Sequence, residues 1–296
     1  MRSLLVTGAS GFLGWHAAQQ LASDWQIWGT YHRQAIALPT GTALPLDVTN
    51  AASMQATWAT ARPDAVLHLA AISKVNQCQQ DPDGSYEINV RGAVRLAQHC
   101  ATAAIPFIFA STDQVFDGQA APYTELAEPH PINVYGQQKA IAEAQILAVY
   151  PAATICRLPL LFGPATPTAT CFLQDFLRAI AAGQTLNLFT DEIRTPALTT
   201  DVIEGFRLVL AQGVTGIWHL GGPERLSRYE FGQRMAERFN LPAAAIRPCR
   251  QGDVTLAAPR PQDVSLDSRQ AFALGYCPQG VELALQAIAP SQPVQP

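Results

Sequence analysis

Short apolar runs alternate along the first half of the chain with longer stretches in which apolar residues recur every three or four positions. The runs fall at Leu4–Val6, Ile27–Tyr31, Ala65–Leu69, Phe107–Ala110 and Thr154–Cys156. They are apolar without strict alternation, the pattern of strands buried on both faces. Helices are predicted between them over Leu13–Ala22, Ser53–Ala61, Tyr86–Ala103 and Val134–Val149, and Pro63 and Pro106 mark entries to the next strands. Repeated strand–helix units of this kind predict an α/β fold, a doubly wound parallel sheet with helices on both faces.

The second half is less regular. Pro159, Pro164 and Pro167 mark a long loop, and helices are predicted over Phe172–Ala182 and Val202–Ala211. A strand at Ile217–Leu220 is expected to return to the first sheet. Ser227 then caps a helix over Arg228–Phe239, with Glu230 placed to complete a capping box. Residues 289–296 are expected to be a frayed tail.

Composition narrows the classes. With 296 residues, 48% of them apolar and 14% charged, the chain can build a substantial core and is not a disordered segment. A net charge of −4 supplies no basic face for nucleic acid and no polybasic membrane signal. No apolar run approaches the roughly 18 residues of a membrane span, so the expected location is the cytoplasm. The six cysteines contain no C-x-x-C pair and the six histidines no H-E-x-x-H spacing, so no metal site is expected.

Candidate chemistry begins at Thr7-Gly8-Ala9-Ser10-Gly11-Phe12-Leu13-Gly14, between the first strand and the first helix. Gly8 permits a tight turn, Gly11 lets the backbone approach a pyrophosphate, and Gly14 lets the helix pack closely. The helix N-terminus offers free N–H groups to an anion. This predicts a dinucleotide site, with Gly8, Ser10, Gly11, Phe12 and Leu13 as cofactor contacts. An acid that would hold a ribose 2′-hydroxyl is missing from the end of the second strand, which reads Gly29-Thr30-Tyr31-His32-Arg33. Arg33, with His32, can instead pair with a 2′-phosphate, which favours NADP(H) over NAD.

A second constellation lies further on. Tyr135 and Lys139 stand four apart at the start of a helix and share a face. An ammonium beside a phenol is expected to lower the tyrosine pKa and make Tyr135 a proton donor near neutrality. Thr112, at the carboxyl end of a central strand, offers a hydroxyl to a substrate carbonyl, or else caps a turn.

These motifs occur in the order shown by the extended short-chain dehydrogenase/reductase superfamily, which the chain resembles along nearly its whole length. The resemblance rests on the Thr7–Gly14 turn, His68-Leu69-Ala70-Ala71, Asn89-Val90-Arg91-Gly92, Ser111–Gly118 and the Tyr135/Lys139 pair. Within it, Ser-Thr-Asp-x-Val-Phe-Asp-Gly, Asn133-Val134-Tyr135-Gly136, Trp218–Gly222, Ser227–Glu230 and Arg260-Pro261 before Leu266-Asp267 resemble the dTDP-4-dehydrorhamnose reductase-like group. That group includes the regulatory beta subunit of methionine adenosyltransferase.

The resemblance implies that Asp47 and Val48 contact adenine, that Leu69, Ala70, Ala71, Ser111 and Leu158 line the cofactor, and that Arg194 touches substrate or forms a structural salt bridge. It also implies that Thr112, Tyr135 and Lys139 are catalytic, with Lys139 holding the ribose. The expected division is 1–158, with 195–221, as the NADP-binding Rossmann domain, and 159–194 with 222–288 as a smaller, interleaved substrate domain. The leading expectation is NADPH-dependent reduction of a 4-keto nucleotide sugar. The alternatives are a nucleotide-sugar epimerase or dehydratase, and a non-catalytic NADP-binding regulatory subunit. A homodimer is a permitted assembly. Two departures bear on the substrate side: Gln114 where the reductases carry Tyr, and Lys74-Val75-Asn76-Gln77-Cys78-Gln79 where they tend to be acidic.

Overall fold

A computed structural model describes residues 1–289, so all of the expected tail beyond Ala289 lies outside the described residues. The first half holds the expected strands and helices, with β3 and α3 unforeseen: β1 (Ser3–Thr7), α1 (Phe12–Gln20), β2 (Gln26–Tyr31), β3 (Thr42–Pro45), α2 (Ala51–Ala61), β4 (Ala65–His68), α3 (Val75–Gln80), α4 (Pro82–Tyr86), α5 (Ala93–Ala103), β5 (Phe107–Thr112), α6 (Val134–Val149) and β6 (Thr154–Leu158). The second half adds β7 (Leu161–Phe162), α7 (Phe172–Ala181), β8 (Leu186–Phe189), β9 (Ile193–Arg194), β10 (Ala197–Leu198), α8 (Thr199–Gln212), β11 (Gly216–His219), β12 (Leu226–Ser227), α9 (Arg228–Arg238), β13 (Ile246–Cys249), α10 (Arg269–Leu274) and α11 (Val281–Ile288).

Seven strands form one parallel sheet in the order β11-β6-β5-β4-β1-β2-β3. The direction of winding reverses between β1 and β4, which opens a crevice at their carboxyl ends. β11 does return to this sheet, pairing with β6 from Gly216–Thr154 to His219–Arg157. Successive residues point to opposite faces. Leu4, Val6, Leu67 and Ile108 pack with α1 and with Val202, Ile203 and Phe206 of α8. Leu5, Val66, Phe107, Phe109 and Ile155 pack with Leu96 and Cys100 of α5 and Ile146 of α6. Burial of each such side chain contributes about 1.5–3 kcal/mol.

A second apolar core gathers Phe162, Leu173, Leu188, Phe231, Met235, Phe239, Val281 and Leu285. The capping box of α9 is formed: Glu230 N–H donates to Ser227 Oγ at 3.1 Å, and Ser227 N–H to Glu230 Oε2 at 2.8 Å. One helix departs from expectation. The stretch read as Tyr86–Ala103 begins earlier, at Pro82, and runs through a π-helical turn at Glu87–Gly92 before α5. Asp81 starts it, accepting from Gly84 N–H at 3.0 Å, with Pro82 in the first turn. Among the described residues, no helix is long and apolar enough to cross a membrane.

Candidate active site

Two connected clefts meet at Gly8, Gly11, Leu69 and Ala71. The first, about 320 Å³, is lined by Gly8, Ser10, Gly11, His32, Asp47, Val48, Leu69, Ala70 and Ala71, all expected, and by Thr30, Ile72 and Ile88, which sequence reasoning missed. The second, about 530 Å³, holds Phe12, Leu13, Ser111, Thr112, Tyr135, Lys139, Leu158 and Arg194.

The turn after β1 is tight for identifiable reasons. Gly8 adopts φ +70°, and a Cβ there would meet the Ala70 backbone at 2.9 Å. Gly11, the N-cap of α1, has no side chain to satisfy the first-turn N–H groups, which leaves them for a ligand. Thr7 joins this turn to the loop after β4. Its Oγ1 accepts from Leu69 N–H and Ala70 N–H, both at 3.1 Å, and donates to His68 Nδ1 at 2.7 Å. His68 therefore carries its proton on Nε2.

At the far side of the first cleft, Asp47 is occupied by its own turn, accepting from Thr49 N–H at 2.9 Å and Thr49 Oγ1 at 2.7 Å. These bonds hold its carboxyl below the usual range. His32 Nε2 lies 3.8 Å from Asp47. Arg33 lines neither cleft; it stands exposed past the end of β2.

The S/T–Y–K group converges at the end of β5. Asn133 caps α6, accepting from Gly136 N–H at 2.9 Å, and its Nδ2 donates to Gln114 Oε1 at 3.2 Å. A Cβ at Gly136 would lie 2.0 Å from the Gln114 carbonyl oxygen, so this glycine allows α6 to close against the β5 loop. Thr112 does cap a turn as well: its Oγ1 accepts from Gln114 N–H at 3.2 Å and donates to Asp113 Oδ1 at 3.3 Å. Ser111 lines the cleft, but its hydroxyl donates to the buried Glu143.

The expected effect of Lys139 on Tyr135 is corrected. Burial pushes the Tyr135 hydroxyl up, against a smaller downward pull from its bond with Thr112, and Lys139 is not among the influences on it. The Lys139 amine donates instead to Ala110 O at 2.5 Å and lies 3.8 Å from the Phe109 ring centroid. Burial holds that amine down at about 7, with the Glu143 carboxylate opposing. Desolvation outweighs the i,i+4 spacing.

Arg194 proves to be both wall and brace. It is 3% exposed, donates to the carbonyls of Ile193, Gln262 and Pro261, and faces Asp113 at 3.7 Å and Glu192 at 3.6 Å. Burial pushes Asp113 up to about 6, Arg194 opposing. Asp113, Glu192, Arg260, Cys171 and Phe172 also line this cleft and were missed. Glu192, Cys171 and Phe172 come from segments without a local motif; Asp113 and Arg260 lay inside quoted motifs but were not assigned a role. Lys74 and Arg260 line it too without forming an ion pair among the described residues. Arg260 Nη2 donates to Asn76 Oδ1 at 3.0 Å. No group of three or more His, Cys, Asp or Glu placed to hold a metal occurs among the described residues.

A seven-stranded parallel sheet, a glycine turn at its switch point and a Thr–Tyr–Lys group beside it define a Rossmann-type protein of the dehydrogenase/reductase fold. The RmlD substrate binding domain model matches residues 1–289, and the chain belongs to that family. It is 32% identical to the "Probable low-salt glycan biosynthesis reductase" of Haloferax volcanii, covering 88% of each chain. It is 27% identical to methionine adenosyltransferase 2 subunit beta of Danio rerio, over 93% of this chain and 85% of the other. In fold it matches the dTDP-4-dehydrorhamnose reductase of Bacillus anthracis, solved in complex with NADP. The TM-score is 0.86 and the identity 24%, with 97% of this chain and 99% of the other covered.

Proposed function

We propose that the chain is an NADPH-dependent reductase of a ketone carried on a nucleotide sugar, close in kind to dTDP-4-dehydrorhamnose reductase. The observation that carries the reading is the position of Thr112, Tyr135 and Lys139 in one continuous cleft with the uncapped N-terminus of α1. The cradle suits a dinucleotide: glycines where a Cβ would collide, free N–H groups for the pyrophosphate, and an apolar wall at Val48, Ile72 and Ile88 for the adenine. When bound, NADPH supplies the hydride that reaches the carbonyl carbon. Thr112 and Tyr135 hold the carbonyl oxygen between their hydroxyls, and Tyr135 gives its proton to the developing alkoxide. A hydroxyl with a raised pKa holds its proton until the oxygen becomes strongly basic, which suits a donor.

Lys139 holds the ribose, and the exposed Arg33 swings onto the 2′-phosphate. The cations Lys74 and Arg260 suit an anionic part of the substrate. Residues 1–158 with 195–221 serve the cofactor, and 159–194 with 222–288 serve the substrate. The NADP bound to the Bacillus anthracis reductase and the reductase name of the Haloferax relative support this assignment. Gln114 donates to Asp113 Oδ1 at 3.3 Å and cannot take up a proton as a carboxylate does, which counts against dehydration.

The test is NADPH oxidation against a panel of 4-keto nucleotide sugars, with Tyr135→Phe as control. Turnover that falls about 10²–10⁴-fold in that variant is expected. No turnover of any ketosugar, while an authentic reductase works in the same assay, would refute it. A second reading, an NADP-binding regulatory subunit, is favoured by the match to methionine adenosyltransferase 2 subunit beta. Tight NADPH binding without turnover, together with a stoichiometric protein partner, would select it.

A further inference from the structure

Behind the cleft, an ion pair is buried in the core. Arg157 of β6 donates from Nη2 to Glu143 Oε2 at 2.7 Å and from Nε to Glu143 Oε1 at 3.1 Å; their side chains are 1% and 4% exposed. The guanidinium stacks over Phe116, 5.0 Å from the ring centroid, and Nη1 lies 3.4 Å from His219 Nε2. Two charges so deep are not justified by the strength of their pairing alone, because desolvation offsets most of it.

Their placement suggests another use. Glu143 stands one helical turn beyond Lys139 on the same face of α6. The two side chains meet consecutive residues of β5: Lys139 donates to Ala110 O, and Glu143 accepts from Ser111 Oγ. The other titratable groups around the Lys139 amine are Tyr135 on α6, His68 on β4 and Cys78 on α3. Burial keeps each of these neutral: it raises the phenol and the thiol and lowers the imidazole to about 3. Asp113, past the end of β5, faces Arg194 instead. Glu143 is therefore the acid that opposes desolvation of the Lys139 amine, and the paired bonds from Arg157 fix its carboxylate in direction.

We propose that the Glu143–Arg157 pair is a positioning device that keeps the Lys139 amine protonated inside the cleft, so that the residue meets its ligand as a cation. The titration of Lys139 is a property of the chain itself and does not rest on the proposed activity. Its consequence for NADPH does.

The sequence makes a direct test practical, because Lys74 and Lys139 are its only lysines. The full-length protein would be labelled at both lysine side chains and titrated by NMR, with Lys74 as internal reference. Glu143→Gln/Arg157→Gln removes both charges without stranding either. In it the Lys139 midpoint is expected to fall by about one pH unit or more, a tenfold weaker hold on the proton, while Lys74 stays put. Glu143→Asp keeps the ion pair but draws the carboxylate back by one methylene, and a smaller fall in the same direction is expected. A purely structural pair would lower the unfolding temperature without moving Lys139 relative to Lys74. An unmoved Lys139 in the folded double variant overturns the proposal; if that variant does not fold, an unmoved Lys139 in Glu143→Asp does so. NADPH affinity followed over the same pH range is expected to track the charge on Lys139. A wild-type protein that binds no NADPH would sink the proposed function and leave the titration to decide this inference.

Discussion

Gly14→Ala tests the geometry of the phosphate turn through a single carbon. A Cβ at this position of α1 would lie 2.2 Å from Gly8 O, 2.7 Å from Gly8 C and 2.9 Å from Ala9 Cα. All three are backbone atoms, so no side-chain rotation relieves the clash. Ordinary contact begins near 3.4 Å, and α1 must therefore back away from the turn by about 1 Å. Overpacking of this kind costs about 1–3 kcal/mol, which for a chain of this size lowers Tm by roughly 2–5 °C. The same displacement pulls the first-turn N–H groups off the anion. Loss of one charge-assisted hydrogen bond is worth about 1.5–3 kcal/mol, so NADPH affinity is expected to fall roughly ten- to a hundredfold. Fluorescence titration with NADPH and guanidinium unfolding read the two effects separately. Gly213→Ala is the control: at φ +62° with nothing within 4 Å, it carries backbone strain of about 1 kcal/mol and no clash near the cleft. If Gly14→Ala binds NADPH and unfolds like wild type, the close-packing argument is wrong.

Three further outcomes are expected. Ser227→Ala removes the capping box of α9 and should lower stability by about 1 kcal/mol, read from denaturant midpoints, with NADPH affinity unchanged. Burial holds His68 and His219 down at about 3, so the unfolded chain takes up their protons first as pH drops below about 6.5. Their contribution is fully present above that pH and is lost as pH falls towards 3, by up to about 1.4 kcal/mol per pH unit for each. Asp113, raised to about 6, works the other way between there and 3.8. Acid denaturation of wild type against His219→Gln measures the balance, and an unchanged slope would refute the assignment of His219. Arg33→Ala should weaken NADPH roughly ten- to a hundredfold and leave NADH untouched, and equal loss for both cofactors would remove Arg33 from the 2′-phosphate.

What could be read from sequence was whatever is encoded locally. Six of the seven sheet strands were legible, five as short apolar runs and β11 as a later run ending in Gly221-Gly222, and α6 was legible to the residue. β3 was not: Thr42–Pro45 is a half-exposed edge strand of four residues that exists only by pairing with β2. The strands of two residues, β7, β9, β10 and β12, likewise depend on partners far along the chain. The cofactor cleft was largely visible, since its glycines and its Tyr–Lys spacing each need a stated backbone geometry. Glu192 and Arg260 were not: the segment of Glu192 carries no motif, and the Arg260-Pro261 motif does not say which cleft it faces, since both reach the cleft only through the tertiary fold. The electrical state of Tyr135 was misjudged for a related reason: spacing reports proximity, but burial decided the sign.

The path of the chain has a practical consequence. It leaves the main sheet at Leu158, comes back through α8 and β11, and leaves again after His219. A gene truncated after β6 would strand Thr154–Leu158, buried at every position, as an open sheet edge, and would strip Phe206 and Trp218 from the core beneath α1. Such a fragment is a template for aggregation rather than a soluble half-protein. Fusions, split reporters and domain exchanges between relatives should therefore carry the whole of residues 1–289. On the proposed division, the substrate side (159–194 with 222–288) meets the cofactor side at three places along the chain, so a single junction cannot exchange it.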